Sequence, residues 1–387
     1  MALALGFFLS SDRPPLVMMG RLLWLVLLTS PLAASAFLGC GVASLRPASR
    51  LTPRLRGGGG LPNFKASAGL NCPTIQLNDD SSHPLLGYGT YKVGFIPASA
   101  SAAAGGAEAA GGTEKTAREC VKEALGVGYR FLDCAQFYGN EKEVGLAIKD
   151  SGVPRENLYL ASKVWTDKIY EGRAAVREQV LKTLADLQTD YLDLYLVHWP
   201  VPGHHVEAYK ELEALLEEGK VRSIGMSNYA VEDYKELREA TSVKPTINQI
   251  EVNPFLYRKK TIDFFQAEGV QIQSYRALRD GKAFQDPTVL ELAGKYGKSA
   301  AQILGRWCVQ KGIIYIPKSV KKERMEENAD VFGWELEGGD VARLDALTTD
   351  SSLQAFKELY IKCVVRDTPM AGTEEAEKVI NKDITVG

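Results

Sequence analysis

Histidine is scarce in this chain, and cysteine forms no pattern. The four histidines (83, 198, 204, 205) have no cysteine or carboxylate at ligand spacing, which excludes the common zinc sites and leaves no metal expected. The six cysteines (40, 72, 120, 134, 308, 363) hold no Cys-x-x-Cys pair and no regular spacing. A disulfide framework is therefore not expected, and the odd set left once Cys40 departs suits a reducing compartment. No apolar run reaches the ~20 residues that span a bilayer. Positive charge is lacking as well: beyond residue 60 there are 40 basic and 47 acidic residues, so no basic face is offered to nucleic acid. Nor does a Gly-x-Gly-x-x-Gly turn follow an early strand. Gly39-Cys-Gly41 lacks the third glycine and lies near the start, which argues against an open doubly wound sheet.

What is present is a globular composition, 45% apolar and 24% charged in 387 residues. Residues 1–60 differ from the rest, with six arginines (13, 21, 46, 50, 54, 56), no lysine and one acid, Asp12. Arg21 precedes the apolar run 22–28, and Ala34-Ser-Ala36 supplies a small-residue cleavage pattern, so this start is expected to be a signal segment. Residues 37–60 carry four arginines, scattered Ser and Thr and no acid, as a transit segment does. Together 1–67 are expected to be a targeting presequence and linker. Its two parts resemble the address of complex plastids, with plain secretion or the cytoplasm as alternatives. Met18 or Met19 is a candidate start, since 1–15 add little to the signal.

Beyond residue 70, short apolar or β-branched runs alternate with helix-period stretches. The strands are expected at 85–90, 129–133, 158–163, 192–198, 221–227, 247–252, 270–275 and 313–317. Between them, Val176, Val180, Leu181, Leu184 and Leu187 are expected to share one helix face, and Ile303, Leu304, Trp307 and Cys308 another. Eight strands alternating with helices over roughly 270 residues predict a (β/α)8 TIM barrel, of the α/β class, over 68–350. Gly87 and Gly89 interrupt the first strand. The low-complexity stretch 96–112 is expected as a disordered loop insertion over the active-site face, and 351–387 as a tail wrapping the barrel.

Catalytic groups of such a barrel gather where strands end at its C-terminal face. Asp133, Lys163, His198, Asn228, Gln249, Tyr275 and Lys318 all fall at or near such ends. A carboxylate ending a buried strand needs a cation, so Asp133 is expected to pair with Lys163. Tyr138, five residues after Asp133, is a candidate proton donor whose pKa a nearby ammonium would lower from about 10. The plainer alternatives are a structural ion pair, a core aromatic and a satisfied core histidine. His204-His205 is expected in a solvated loop. Tyr88 and Lys92 match a Tyr-x-x-x-Lys spacing by chance, because no glycine-rich turn precedes them.

The order Asp133, Tyr138, Lys163, His198, with the flanks Gly128-Tyr-Arg-Phe-Leu-Asp-Cys-Ala-Gln-Phe-Tyr-Gly-Asn-Glu141, Leu158-Tyr-Leu-Ala-Ser-Lys163 and Leu192-Asp-Leu-Tyr-Leu-Val-His-Trp-Pro200, resembles the catalytic tetrad of the aldo-keto reductases. The resemblance covers 73 to about 350 and implies reduction of aldehydes and ketones to alcohols by hydride transfer from nicotinamide C4. It makes Tyr138 the general acid and His198 the residue that orients the carbonyl. Residues 219–229 and 248–254 resemble the segments that hold the nicotinamide carboxamide, here through Ser227, Asn228 and Gln249. Tyr275 matches the aromatic that stacks on the ring. Residues 316–328 resemble the adenosine site, with Lys318, Ser319 and Arg324 on a 2′-phosphate and Glu327 and Asn328 on adenine. Two cations and a hydroxyl at one helix start favour NADPH/NADP+ over NADH. By the same resemblance Gly89, Thr90, Tyr91, Asp133, Arg276, Leu278 and Val320 line the cofactor, while Tyr91, Trp165 and Trp199 join Tyr138 and His198 around the substrate.

The chain departs from the family pattern in three places. Tyr91 stands where Trp is usual. Arg276-Ala-Leu278 replaces Ser-Pro-Leu, leaving Arg276 to meet either the cofactor pyrophosphate or an acidic substrate. The link from Pro200 to the helix near Val206 is short, which implies an open pocket of broad specificity. A monomer acting on small carbonyl compounds is expected, without stable membrane insertion after processing. A non-catalytic, nucleotide-sensing barrel is the alternative that the intact tetrad disfavours.

Overall fold

The computed structural model describes residues 70–94, 115–374 and 376, all inside one compact unit, 59–387. The presequence 1–67, the insertion 96–112 and the end of the tail, 377–387, lie outside the described residues. An antiparallel hairpin, β1 (Thr74–Gln76) and β2 (Ser82–Pro84), comes first. Eight parallel strands follow: β3 (Tyr88–Gly89), β4 (Phe131–Asp133), β5 (Tyr159–Val164), β6 (Leu192–Val197), β7 (Val221–Ser227), β8 (Ile247–Glu251), β9 (Gln271–Tyr275) and β10 (Ile314–Tyr315). They pair in chain order. The sheet then closes on itself, since Gly87 N donates to Tyr315 O (2.9 Å), Tyr315 N to Leu85 O (2.9 Å) and Gly89 N to Pro317 O (3.0 Å). The expected (β/α)8 barrel is the fold.

Helices cover the outside. These are α1 (Ala117–Val127), α2 (Glu141–Ser151), α3 (Thr166–Glu171), α4 (Arg173–Asp186), α5 (His205–Glu217), α6 (Val231–Ala240), α7 (Lys259–Ala267), α8 (Pro287–Tyr296), α9 (Ala300–Gln310), α10 (Lys322–Ala329), α11 (Gly338–Asp345) and α12 (Asp350–Val364). Thr116 and Ser299 begin α1 and α9 with capping boxes, each satisfying amide donors that a helix start leaves bare. Among the described residues no helix is long and apolar enough to cross a membrane, and the five described cysteines are free thiols.

Strand periodicity explains how one sheet carries both a core and a site. Alternate residues face opposite sides. One parity buries Leu132, Leu160, Tyr195 and Val197 beneath the helices. The other fills the lumen with Phe131, Tyr159, Ala161, Leu194, Leu196, Ile247 and Ile314. Two residues further along the same parity come Asp133, Lys163, His198 and Gln249, so the lumen turns polar at its C-terminal end. The hairpin closes the opposite end. Leu77 joins the lumen cluster, and Asn78 Nδ2 donates to Pro245 O (2.8 Å) and Gly269 O (3.1 Å), just before β8 and β9.

Five expectations change in detail, the plainest being the second strand, which shortens from 129–133 to Phe131–Asp133. The first strand contracts from 85–90 to Tyr88–Gly89, with Leu86 joined to Tyr315 only by an isolated bridge; a Cβ on Gly87 would lie 2.2 Å from the Phe131 ring, so the glycine makes room for a lumen aromatic. The last strand contracts from 313–317 to Ile314–Tyr315. On α4, Val176, Val180 and Leu184 are buried, as is Leu187 just past its end, but Leu181 is 44% exposed, being ~100° around the helix from Val180. His205 is no solvated loop residue. It opens α5 fully buried, its ring 5.3 Å from that of Tyr229, and His204 stacks on Tyr170 at 4.4 Å.

Candidate active site

The chain turns tightly after β4, and Tyr138 ends that turn with its ring inside the barrel mouth. Lys163, at the end of β5, is wholly buried. Its Nζ donates to Asp133 Oδ1 (2.8 Å) and Cys134 O (2.8 Å) and lies 3.1 Å from the Tyr138 hydroxyl. A buried ammonium needs such partners, and here they set its position. His198, just beyond β6, places its ring 6.1 Å from that of Tyr138 and 4.9 Å from that of Trp165. The four residues expected to converge are thus brought together.

Their charge states follow from the surroundings. Burial, and then the charge of Asp133, pushes the Tyr138 phenol well above its ordinary value. That corrects the expectation of a phenol lowered by Lys163: desolvation of the phenolate is the larger effect. Burial, and then Lys163, holds His198 well below the ordinary imidazole range, so its ring is neutral near pH 7. Its Nδ1 has no hydrogen-bond partner among the described residues.

An aromatic wall flanks this centre. Phe137 stacks on Trp165 at 3.9 Å, and Tyr91, 36% exposed, lies 5.1 Å from the Tyr138 ring and 6.3 Å from Phe137. The segment after α12 closes over it: Trp165 Nε1 donates to Asp367 Oδ2 (2.8 Å), Thr166 Oγ1 bonds Arg366 O, and the Arg366 guanidinium sits 5.0 Å from the Phe137 ring. Sequence reasoning missed Phe137, Arg366 and Asp367. Phe137 adjoins Tyr138 and was within reach, whereas the other two are about 200 residues from their partners. Trp199, expected at the substrate, turns its ring to Tyr360 of α12 at 5.7 Å.

A match to the Aldo/keto reductase family spans residues 102–349. Glyoxal reductase of Bacillus subtilis (strain 168) is 39% identical over 278 residues, 72% of this chain and 93% of that protein. Methylglyoxal reductase DkgA of Escherichia coli (strain K12) is 36% identical over 282 residues, 71% of this chain and 94% of that protein. Among solved structures, Bombyx mori aldo-keto reductase AKR2E4 in complex with NADP is similar with a TM-score of 0.62 at 31% identity, covering 71% of this chain and 92% of that one. The chain belongs to the aldo/keto reductase family.

As an aldo/keto reductase it is an oxidoreductase acting on carbonyl groups, from a family that uses a nicotinamide cofactor. The residues expected to hold that cofactor follow the tetrad around the rim. Ser227 Oγ donates to Gln249 O (2.8 Å). Asn228, held at φ 61°, donates to His198 O and Ser227 Oγ (3.1 Å each), while the Tyr275 hydroxyl donates to Asn228 Oδ1 (2.7 Å). Gln249 Nε2 donates to Asp133 Oδ1 (2.8 Å). Thr90 N and Oγ1 both donate to Asp133 O (3.1 and 2.9 Å), and a Cβ on Gly89 would lie 3.4 Å from Ile316 and 3.7 Å from Lys318.

At the far end the donor set fits a phosphate. Lys318, half-buried, and Arg324, exposed on α10, have no carboxylate partner among the described residues, whereas Lys322 on the same helix pairs with Glu326. Burial lowers the Lys318 pKa, a cost that a bound anion would relieve. Ser319 Oγ accepts from Lys321 N (3.1 Å) at that helix start. Val320 and Asn328 are buried there and Glu327 is half-buried. Arg276, held at φ 51°, instead pairs with the buried Glu251 (2.9 Å) and with Asp280 (3.4 Å) beside the half-buried Leu278.

Proposed function

We propose that this chain reduces aldehydes and ketones, small α-oxoaldehydes among them, to alcohols with NADPH, and that Tyr138 is the general acid. The observation that carries the reading is the buried Asp133–Lys163–Tyr138 chain, with Nζ 3.1 Å from the phenol, beside a neutral His198. When bound, the reduced nicotinamide supplies a hydride to the carbonyl carbon. A neutral His198 holds one ring proton, available to hydrogen-bond the carbonyl oxygen and orient it. Tyr138, whose raised pKa keeps it protonated, gives its proton to that oxygen as negative charge develops there. Lys163 stands where it stabilises the phenolate left behind, and Asp133 keeps the ammonium in place. The aromatic wall of Tyr91, Phe137 and Trp165 excludes water from the reacting atoms. Lys318, Ser319 and Arg324 would hold the 2′-phosphate, which favours NADPH over NADH.

The relatives' names, glyoxal and methylglyoxal reductase, support the small-dicarbonyl reading. A monomer is part of the same proposal, as is delivery to a plastid by residues 1–67, which the arginine-rich start supports. Replacing Tyr138 by Phe tests the chemistry: methylglyoxal reduction, followed by NADPH absorbance, is expected to stop while NADPH binding persists. Wild-type turnover in that variant would refute the acid assignment.

A further inference from the structure

A line of side chains crosses the whole lumen from the floor hairpin to the tetrad. His83 Nδ1 meets Pro84 O at 2.7 Å, and His83 Nε2 meets Gln273 Nε2 at 2.7 Å. Gln273 Oε1 accepts from Gln249 Nε2 (2.8 Å), which also donates to Asp133 Oδ1 (2.8 Å), which accepts from Lys163 Nζ (2.8 Å). His83, Gln249 and Gln273 are at most 1% exposed, and Gln249 and Gln273 are register partners on β8 and β9. The proposed mechanism uses neither His83 nor Gln273.

We propose that Gln273, anchored by His83, is a positioning residue that, together with Asp133, holds the Gln249 amide with its oxygen toward the nicotinamide site. The inference rests on the NADPH reading above and deepens it. Each link fixes the polarity of the next. The Pro84 carbonyl can only accept, so Nδ1 of His83 carries the ring proton. The ring is neutral, because burial holds its pKa down to about 3. Its Nε2 is therefore an acceptor, and Gln273 must turn its NH2 downward and its Oε1 upward. That oxygen takes one proton of Gln249 Nε2, and the Asp133 carboxylate takes the other.

Both amide hydrogens of Gln249 are thereby used, and its Oε1 accepts from no described residue. The atom left for a ligand is an acceptor, complementary to the N–H donors of a carboxamide. The opposite polarity would set a His83 lone pair against Pro84 O and the Gln249 oxygen against the Asp133 carboxylate. Buried groups seldom tolerate either repulsion.

The test compares NADPH with its 3-acetylpyridine analogue, in which methyl replaces the carboxamide NH2 and the carbonyl is kept. Affinities are measured by fluorescence titration on the wild type and on Gln273→Leu. The wild type is expected to favour NADPH by about tenfold, the worth of one hydrogen bond. In the leucine variant the ratio is expected to fall, because the Gln249 amide keeps only its Asp133 acceptor and its oxygen is held less firmly toward the ligand. A folded variant that keeps the wild-type ratio, or a wild type with no preference, would overturn the proposal.

The ¹⁵N shifts of His83 give a reading that does not depend on the variant. Protonation at Nδ1 supports the chain of polarity, and protonation at Nε2 overturns it. A wild type that does not bind NADPH at all would remove the cofactor reading and this inference together. That outcome is distinct from failure of the inference alone, in which NADPH binds tightly without discrimination.

Discussion

Acid should weaken this barrel through its floor. His83 is fully buried, with its ring 4.6 Å from that of Phe131 and 4.2 Å from that of Tyr159, and burial lowers its pKa from 6.5 to about 3. Between those values the unfolded chain binds a proton that the folded chain refuses. Stability is then full above pH 6.5 and is lost as pH falls, by about 1.4 kcal/mol per pH unit for one such group. From about pH 6 to about pH 4.5 this ring alone removes about 2 kcal/mol, a large share of a typical margin. Replacing His83 by Gln keeps a polar group of similar size and removes the titration. Urea unfolding of the wild type and His83→Gln at several pH values measures the difference in slope, and the contribution of His198, shared by both proteins, cancels. The variant is expected to lose about one proton's worth of slope whatever its stability near neutrality. Parallel slopes would refute the reasoning and place the charged form of His83 within the folded barrel.

Two further outcomes follow from the geometry. Arg324→Ala removes an unpaired cation from the start of α10 and is expected to weaken NADPH by roughly ten- to hundredfold while leaving NADH nearly unchanged. Equal losses for both, measured by titration, would end the phosphate role. In β7, a Cβ on Gly225 would lie 2.8 Å from both Ile247 O and Leu196 Cδ2, so Gly225→Ala is expected to cost about 1–3 kcal/mol. Thermal unfolding checks it, and an unchanged midpoint would mean that β8 yields.

The barrel and the positions of its tetrad were legible in the chain because both are local matters. Alternation along a strand assigns a face to each residue, and a strand's end assigns it a depth. Asp133, Lys163, His198 and Gln249 could therefore be placed on one rim without knowing any contact. Closure was less legible. The glycine at 87 is required by Phe131, whose ring comes from another strand. Leu181 shows the same limit on a helix, where a one-residue step decides between core and water.

Protonation states and long-range partners were not written in any segment. The Tyr138 phenol is pushed up rather than down because burial outweighs the nearby ammonium, and burial is a property of the closed lumen. Gln273 and His83 meet across 190 positions, and Asp367 meets Trp165 across 202. The order of residue types along the chain thus determined the fold, the reaction class and the cast of the site. Tertiary structure alone decided which groups stay neutral, what covers the pocket and which way a buried amide points, because those depend on what surrounds an atom from every side.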